Sequence, residues 1–370
     1  MSPGKSSHVR LLDVARACGL SVSTVSIVLS EAPLSQYVAA STREQIRAMA
    51  QQLGYHPDAY ARSLRRRRSH TIGVVAFDLS DPFCIPIVRG IQEGLSPASY
   101  VPLLMDAQAQ RTLFDHYLQM ILERRAEGLI VIASWIFNES NLLADIKKNN
   151  VPLVIVARDL TERGISSVQV DNRKGGILAM RHLYELGHRK IAVIRGPGEL
   201  FDSEPRWAGV RHFAAQAALE IDPQLVFQLP NSAGPTSGFE GGIAFARQML
   251  ASSHPFSAVV AFDDLTALGV VRGFTDAGIR VPHDCSVLGF DDVLPAAVAT
   301  PGLTTIRQPL KEMGRIASQW ALEAVEAREK GTPPTLLSHH AEPELVVRES
   351  TAAPAAAIKR KKSAILSGPA

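Results

Sequence analysis

Short apolar runs separated by helix-length amphipathic stretches dominate the chain from about residue 70 onward. The runs are Thr71–Phe77, Val101–Met105, Gly128–Ala133, Pro152–Ala157, Lys190–Arg195, Ala258–Phe262 and Ser286–Phe290. Arg111–Arg124, Arg173–Leu186 and Leu265–Ala277 are examples of the stretches between them. Runs this short and continuous suit strands buried on both faces. Their alternation with helices implies parallel sheets covered on each side by helices. Roughly 280 residues exceed one comfortable core, so the pattern predicts two such lobes. Ligands of such sheets collect beyond the carboxyl ends of the strands, here in the cleft between lobes.

The front of the chain reads differently. Residues 13–30 predict a helix, a glycine turn and a second helix. Val14 and Ala15 face inward, and Gly19 supplies the positive φ that ends the first helix. Ser21 suits the second N-cap, Leu20 and Val25 suit a hydrophobic staple, and Val25, Val28 and Leu29 form the buried stripe. That leaves Val22 and Ser23 at the exposed N-terminal end, where a DNA-reading helix touches base edges. A plain helical hairpin in a core fits the same pattern, and the residues that follow decide between the two. A third helix is predicted over Thr42–Leu53, opened by a capping box at Ser41-Thr42-Arg43-Glu44, with Ile46, Met49, Ala50 and Leu53 on its apolar face and Gly54 as its stop. Pro57 then opens a segment of about two turns that runs into Arg65–Arg68. A helix that short is marginal alone in water, so it orders only against a partner. Its basic end points to nucleic acid rather than to a solvated linker or targeting patch.

Charge is segregated to match. Residues 1–69 hold ten Lys/Arg and four Asp/Glu, a net +6; the last twenty residues add +4 from Lys359, Arg360, Lys361 and Lys362; the total of +3 leaves −7 on residues 70–350. A basic head on an acidic body suits a DNA binder whose body stays off the phosphates. No apolar run approaches the ~20 residues of a membrane span, and the polar N-terminus does not read as a signal peptide, so a cytoplasmic, nucleoid-associated protein is expected. Cys18, Cys84 and Cys285 are far apart and lack CxxC spacing. They are expected to be buried thiols in a reducing compartment.

In the order Asp-Val-Ala, Thr-Val-Ser, Thr-Arg-Glu, Leu-Gly-Tyr-x-Pro and Ala-Arg-Ser-Leu, the stretch Asp13–Leu64 resembles the DNA-binding head of the lactose/galactose repressor family. The resemblance runs on to about Ser350. It implies an α/β fold: an N-terminal helix-turn-helix headpiece with a hinge helix, then two doubly wound parallel-sheet lobes of the periplasmic-binding-protein type. The expected domains are a head at 9–57, a hinge helix and linker at 58–69, an effector-binding and dimerisation domain at 70–350 and a disordered basic tail at 351–370. Lobe 1 is expected at about 70–170 plus 303–330, and lobe 2 at 171–302 plus 331–350. Leu303–Gln308 is expected to cross back between them.

The resemblance also implies roles. Leu64 matches a hinge-helix leucine, two copies of which wedge into the minor groove of a palindromic operator. Arg65 matches a basic neighbour. DNA contacts are expected from Ser21, Val22, Ser23, Thr24, Ser26, Ile27, Ala61, Leu64 and Arg65. The chain departs from the family pattern at several positions. Arg10 replaces a capping Thr, so the first helix is expected to fray. Ile27 stands where Arg is common and Ser30 where Asn is common. The loop Glu31–Ala40 is longer than usual. Ala39 replaces a capping Ser, and Ser41 is expected to take that role with a shifted helix start.

For the effector the expected set is Phe83, Ser134, Trp135, Arg206, Asp263, Phe290 and Asp291. Arg206 lies in Glu204-Pro205-Arg206-Trp207-Ala208-Gly209, matching an Arg-x-x-Gly element whose arginine clamps effector oxygens. Phe83 could stack on a sugar face or close the cleft. Asn is frequent in the family where Asp263 stands. An ionised Asp only accepts hydrogen bonds, which favours a hydroxyl-rich ligand. Asp264 and Asp292 are expected to be helix N-caps.

Enzyme chemistry finds little support. The paired aspartates are sequence neighbours with a capping explanation. Gly196-Pro197-Gly198 lacks a third glycine in register because Phe201 is there, and His339-His340 has no ligand set around it. The sequence therefore predicts a transcriptional regulator, a repressor by expectation, without cofactor or metal. It would be a homodimer on double-stranded palindromic DNA, controlled by a sugar or sugar acid. The rival is a free-standing sugar-binding protein of the periplasmic type.

Overall fold

The computed structural model describes residues 9–30, 32–55, 68–123, 126–132, 151–231 and 237–354. The chain divides into two compact units, Met1–His70 and Thr71–Ala370.

In the first unit, α1 (Leu11–Cys18), α2 (Val22–Leu29) and α3 (Ala40–Gln52) surround a small core of Val14, Ala15, Cys18, Val25, Val28, Ile46 and Ala50. Leu20 packs on the same core, as the staple requires. Gly19 ends α1 in the left-handed conformation at φ 66°, and its N–H and that of Leu20 close the turn on Arg16 and Ala15. Ser21 caps α2 by accepting from the Thr24 N–H at 3.1 Å. Two expectations fail here. The start of α1 is held despite Arg10, because the Asp13 carboxylate accepts the Arg10 N–H at 2.8 Å. Helix α3 begins at Ala40, two residues before the predicted start, behind an Ala39 that offers no side-chain cap, so Ser41 lies inside the helix. The long loop before it contains a short 3-10 turn, Pro33–Tyr37.

The second unit holds two six-stranded sheets. The first has the order β11-β5-β4-β3-β1-β2. Its strands are β1 (Thr71–Ala76), β2 (Val101–Asp106), β3 (Gly128–Ile132), β4 (Leu153–Val156), β5 (Ser166–Val170) and β11 (Ser338–Ala341). All its pairings are parallel. Helices α4 (Cys84–Leu95) and α11 (Leu310–Glu329) bury one face against Ile72, Val74, Ile130 and Val154. Helix α5 (Arg111–Glu123) covers Val75, Leu129, Val131 and Ile155 on the other. Alternate residues of each strand thus feed two cores, which is why the strands read as continuous apolar runs.

The second sheet has the order β12-β10-β9-β8-β6-β7. It is built from β6 (Ile191–Arg195), β7 (Val226–Gln228), β8 (Ala258–Val260), β9 (Ser286–Asp291), β10 (Thr304–Arg307) and β12 (Glu344–Val346). Only β12 runs antiparallel, against β10. Helices α6 (Asn172–Glu185) and α7 (Ser203–Gln216) pack on one face; α8 (Ser237–Ala251) and α9 (Asp264–Asp276) pack on the other. A short helix, α10 (Leu294–Val298), follows β9.

Each major helix pair crosses through two glycines. A Cβ on Gly90 or Gly314 would overlap backbone of the facing helix in the α4–α11 pair. The same holds for Gly176 and Gly209 in α6–α7, and for Gly242 and Gly269 in α8–α9. Close backbone approach, rather than flexibility, accounts for these residues.

The chain passes between lobes after β5, after β10 and between β11 and β12. Residues 303–307 therefore belong to lobe 2, and 331–341 to lobe 1, which corrects the predicted lobe boundaries. The reason is pairing: β10 adds in parallel to β9 before the chain leaves, and β11 adds to β5 before it returns.

Candidate functional site

In the head, Ser21, Val22 and Ser23 form an exposed corner at the start of α2, with Val22 40% exposed. Thr24, Ser26 and Ile27 are half-buried behind it. The Ser21 and Thr24 hydroxyls bond to each other at 2.8 Å, so the cap also fixes the Thr24 rotamer. Ala61, Leu64 and Arg65, with the rest of the hinge segment, lie outside the described residues.

In the second unit a cavity of about 120 Å³ opens between the lobes. Its walls come from the carboxyl ends of strands on both sides: Phe77, Asp78, Asp81 and Phe83 after β1, Phe262 and Asp263 after β8, Asp291 at the end of β9. This is the position that parallel-sheet geometry prescribes.

Arg206 on α7 is 6% exposed and tightly held. Its Nε and Nη2 donate to Asn172 Oδ1 at 3.1 and 2.8 Å, and its Nη1 donates to the Phe262 carbonyl at 2.5 Å. The Phe290 ring lies 3.5 Å from the guanidinium carbon and the Phe262 ring 4.4 Å. Such contacts stabilise a desolvated guanidinium. Asn172 also donates to Asp202 at 2.8 Å, joining three buried polar side chains into one network. Burial lowers the Arg206 pKa, while Asp291, Asp202, Asp263 and Asp264 oppose that shift.

The aspartates differ in role. Asp263 is the N-cap of α9, accepting from Thr266 N–H at 2.7 Å. Asp264 is fully buried and accepts from Thr305 Oγ1 at 2.5 Å and Val293 N–H at 2.9 Å. Asp292 takes Arg307 at 2.7 Å and Arg348 at 2.5 Å. The expectation that Asp264 and Asp292 cap helices is thus wrong: one ties β10 and the β9–α10 loop together, and the other is an ion-pair centre. Asp291 sits at φ 119°, an unfavourable backbone region for a residue with a Cβ, and accepts from Gln308 Nε2 at 2.6 Å. Burial pushes its carboxyl well above the usual carboxylate range, against the pull of Arg206. Asp81 keeps a solvent-exposed edge, yet crowding by protein pushes it up to about 6, against the Phe83 N–H and with Asp263 and Asp78.

The head matches the family model described as bacterial regulatory proteins, lacI family, over residues 10–58. The body matches a periplasmic binding protein-like domain over residues 180–351. The HTH-type transcriptional regulator DegA of Bacillus subtilis is 30% identical over 342 residues, spanning 92% of this chain and 97% of that protein. The chain belongs to the LacI family. This LacI-family chain is accordingly a DNA-binding transcriptional regulator with a ligand-binding domain of the periplasmic-binding-protein type. It is also similar to the Lac repressor dimer bound to operator and the anti-inducer ONPF, with 27% identity and a TM-score of 0.79 over 93% of this chain and 99% of that one. The transcriptional regulator CelR in complex with cellobiose is 28% identical, with a TM-score of 0.68 over 92% and 99% of the two chains.

Of the residues expected at the effector site, the structure of this LacI-family regulator brings Phe83, Arg206, Asp263 and Asp291 together on the cavity wall. Phe290 is displaced from it: at 2% exposure it lies under the Arg206 guanidinium as a support. Ser134 and Trp135 lie outside the described residues. Sequence reasoning missed Asp81, Asp202 and Gln308 on the wall and Asn172 behind it. Asp81 lies two residues before Phe83 in the turn after β1, where the carboxyl end of a strand points to it; Asn172 and Asp202 carry no pattern. Among the described residues, no group of three or more His, Cys, Asp or Glu is placed to hold a metal, and Cys18, Cys84 and Cys285 are buried free thiols.

Proposed function

We propose that this regulator is a repressor that binds a palindromic operator as a homodimer, its grip set by a sugar-sized effector held between the lobes. The observation that carries the reading is Arg206. A guanidinium fixed by Asn172, two phenylalanine rings and a carbonyl, at the edge of a cavity walled by both lobes, is pre-organised to meet a polar ligand. The complexes of the related regulator CelR with the sugar cellobiose and of the Lac repressor with the anti-inducer ONPF support a small-molecule effector, and the first supports a sugar. The operator complex of the Lac repressor dimer supports two-fold DNA recognition.

Val22 and Ser23 are proposed to touch base edges, with Ser21, Thr24, Ser26 and Ile27 beside them. Leu64, with Ala61 and Arg65, is proposed as the minor-groove wedge. Phe83, Arg206, Asp263 and Asp291, with Ser134 and Trp135, are proposed to contact effector. Closing or twisting of the lobes shifts the hinge attachment points, and the coupling is reciprocal, typically about 1–3 kcal/mol. The test is a gel-shift titration on DNA flanking the protein's own gene, with and without candidate effectors. Leu64→Ala should weaken DNA binding and leave effector affinity unchanged. Arg206→Ala should keep DNA binding and abolish the effector response. Operator affinity that no cleft ligand alters, in either direction, would refute the allosteric reading.

A further inference from the structure

We propose that the cleft selects a small hydroxylated amine, its ammonium group held among Asp81, Asp263 and Asp291, over neutral sugars and sugar acids. The proposal rests on the reading of the cleft as the effector site and narrows that site to a ligand class.

The charge on the described walls is one-sided. Asp78, Asp81, Asp202, Asp263 and Asp291 line the cavity, and Arg206 is the only cation among the described lining residues. Arg206 is poorly placed to receive an anion. Three of its five N–H groups are bonded to protein, the Phe262 and Phe290 rings lie 4.4 and 3.5 Å from its guanidinium carbon, and four nearby carboxylates already act on its charge. A ligand carboxylate would face more aspartates than cations among the described lining residues.

The three named aspartates have a common feature. Asp81 spends Oδ1 on the Phe83 N–H at 3.0 Å, Asp263 spends Oδ1 on Thr266, and Asp291 spends Oδ1 on Gln308. The second oxygen of each has no protein donor among the described residues. Burial is the main force that raises Asp81 and Asp291, and repulsion adds to it: Asp263 raises Asp81, and Asp263 and Asp81 raise Asp291, across the two lobes. The buried Thr266 hydroxyl, on the residue that bonds Asp263, has no partner among the described residues either. A hydroxyl supplies one donor and leaves the repulsion in place. An ammonium supplies three donors, no acceptor and a compensating charge. Phe77, Phe83 and Phe262 line the same cavity and offer faces compatible with a cation and with the apolar side of a sugar ring. A cation bridging Asp81 of one lobe to Asp263 and Asp291 of the other would also favour the closed cleft.

The test uses the full chain and matched probes in calorimetric titration: D-glucosamine and D-galactosamine against D-glucose, D-galactose, N-acetyl-D-glucosamine and D-gluconate. At least one amine should bind about tenfold or more tighter than its neutral counterpart. N-acetylation, which removes the charge, should erase that preference, and gluconate should bind worst. In the Asp81→Asn/Asp263→Asn double variant, the amine and neutral sugar should approach parity. Neutral sugars or gluconate binding as tightly as the amines, or neither amine binding, overturns the proposal; so does a preference that survives the double variant. The effector reading fails separately, if binding of every probe that binds is unchanged by Arg206→Ala.

Discussion

Gly209 on α7 approaches the carbonyl of Arg173 on α6 so closely that a Cβ at the glycine would overlap it, and Gly176 on α6 meets the carbonyl of Arg206 in the same way. The Arg-x-x-Gly element therefore has two linked parts. The glycine lets the helices touch, and the touch sets the depth at which Arg206 enters the cleft. Gly176→Ala or Gly209→Ala should force the helices apart and destabilise the body by about 1–3 kcal/mol, as overpacking does. Chemical denaturation reads the loss, and weaker effector binding should accompany it.

Asn172 touches both Arg206 and Asp202 from the first turn of α6. Asn172→Ala should strand two buried charged groups and cost about 1–3 kcal/mol in denaturant unfolding. Effector affinity should fall although Asn172 is not on the cavity wall. Unchanged stability and affinity would show that the network does not position the arginine.

Ser21 holds the start of the DNA-reading helix through Thr24. Ser21→Ala should lower head stability by about 1 kcal/mol. Operator affinity should drop in gel shifts while effector titrations of the body stay as they were. Ser21→Asp should recover the stability by capping, yet bind DNA worse than wild type, because it sets a negative charge among phosphates.

Asp264 gives a pH signature. Burial pushes its carboxyl up to about 7 from an ordinary value of 3.8. Below pH 4 the folded and unfolded chains both hold this proton. Between about pH 4 and 7 the folded chain keeps it and the unfolded chain does not, so this group lowers stability as pH rises through that window. Asp264→Asn should flatten the fall in stability from pH 5 to 7.5 relative to wild type, measured by urea unfolding. An identical slope in variant and wild type would show that Asp264 ionises normally.

Much of the fold is legible in the sequence because the central strands are buried on both faces, so each is a nearly unbroken apolar run. The missed elements break that rule for identifiable reasons. Strand β5, Ser166-Ser-Val-Gln-Val, hides Ser167 and Gln169 in the interior, where Ser167 Oγ accepts the Leu160 N–H and Gln169 pairs with His340. Helix α4 carries Pro86 and Gly90 inside an amphipathic stretch. Those residues read as breakers, yet Gly90 is the contact with α11. The helix-turn-helix is legible because caps and staple are local. Cleft chemistry is less so. Which aspartate of a neighbouring pair caps a helix depends on where β10 and α10 lie, and that Phe290 backs Arg206 instead of facing ligand depends on the crossing of α7 over the sheet.

The last strand of each sheet is supplied by residues 338–346, long after the other strands have been laid down. A chain emerging from the ribosome consequently leaves both lobes with an open flank until almost all of the body has been made. Premature stops anywhere upstream should strip an edge from both halves at once, and would yield material for chaperones and proteases rather than a half-competent regulator.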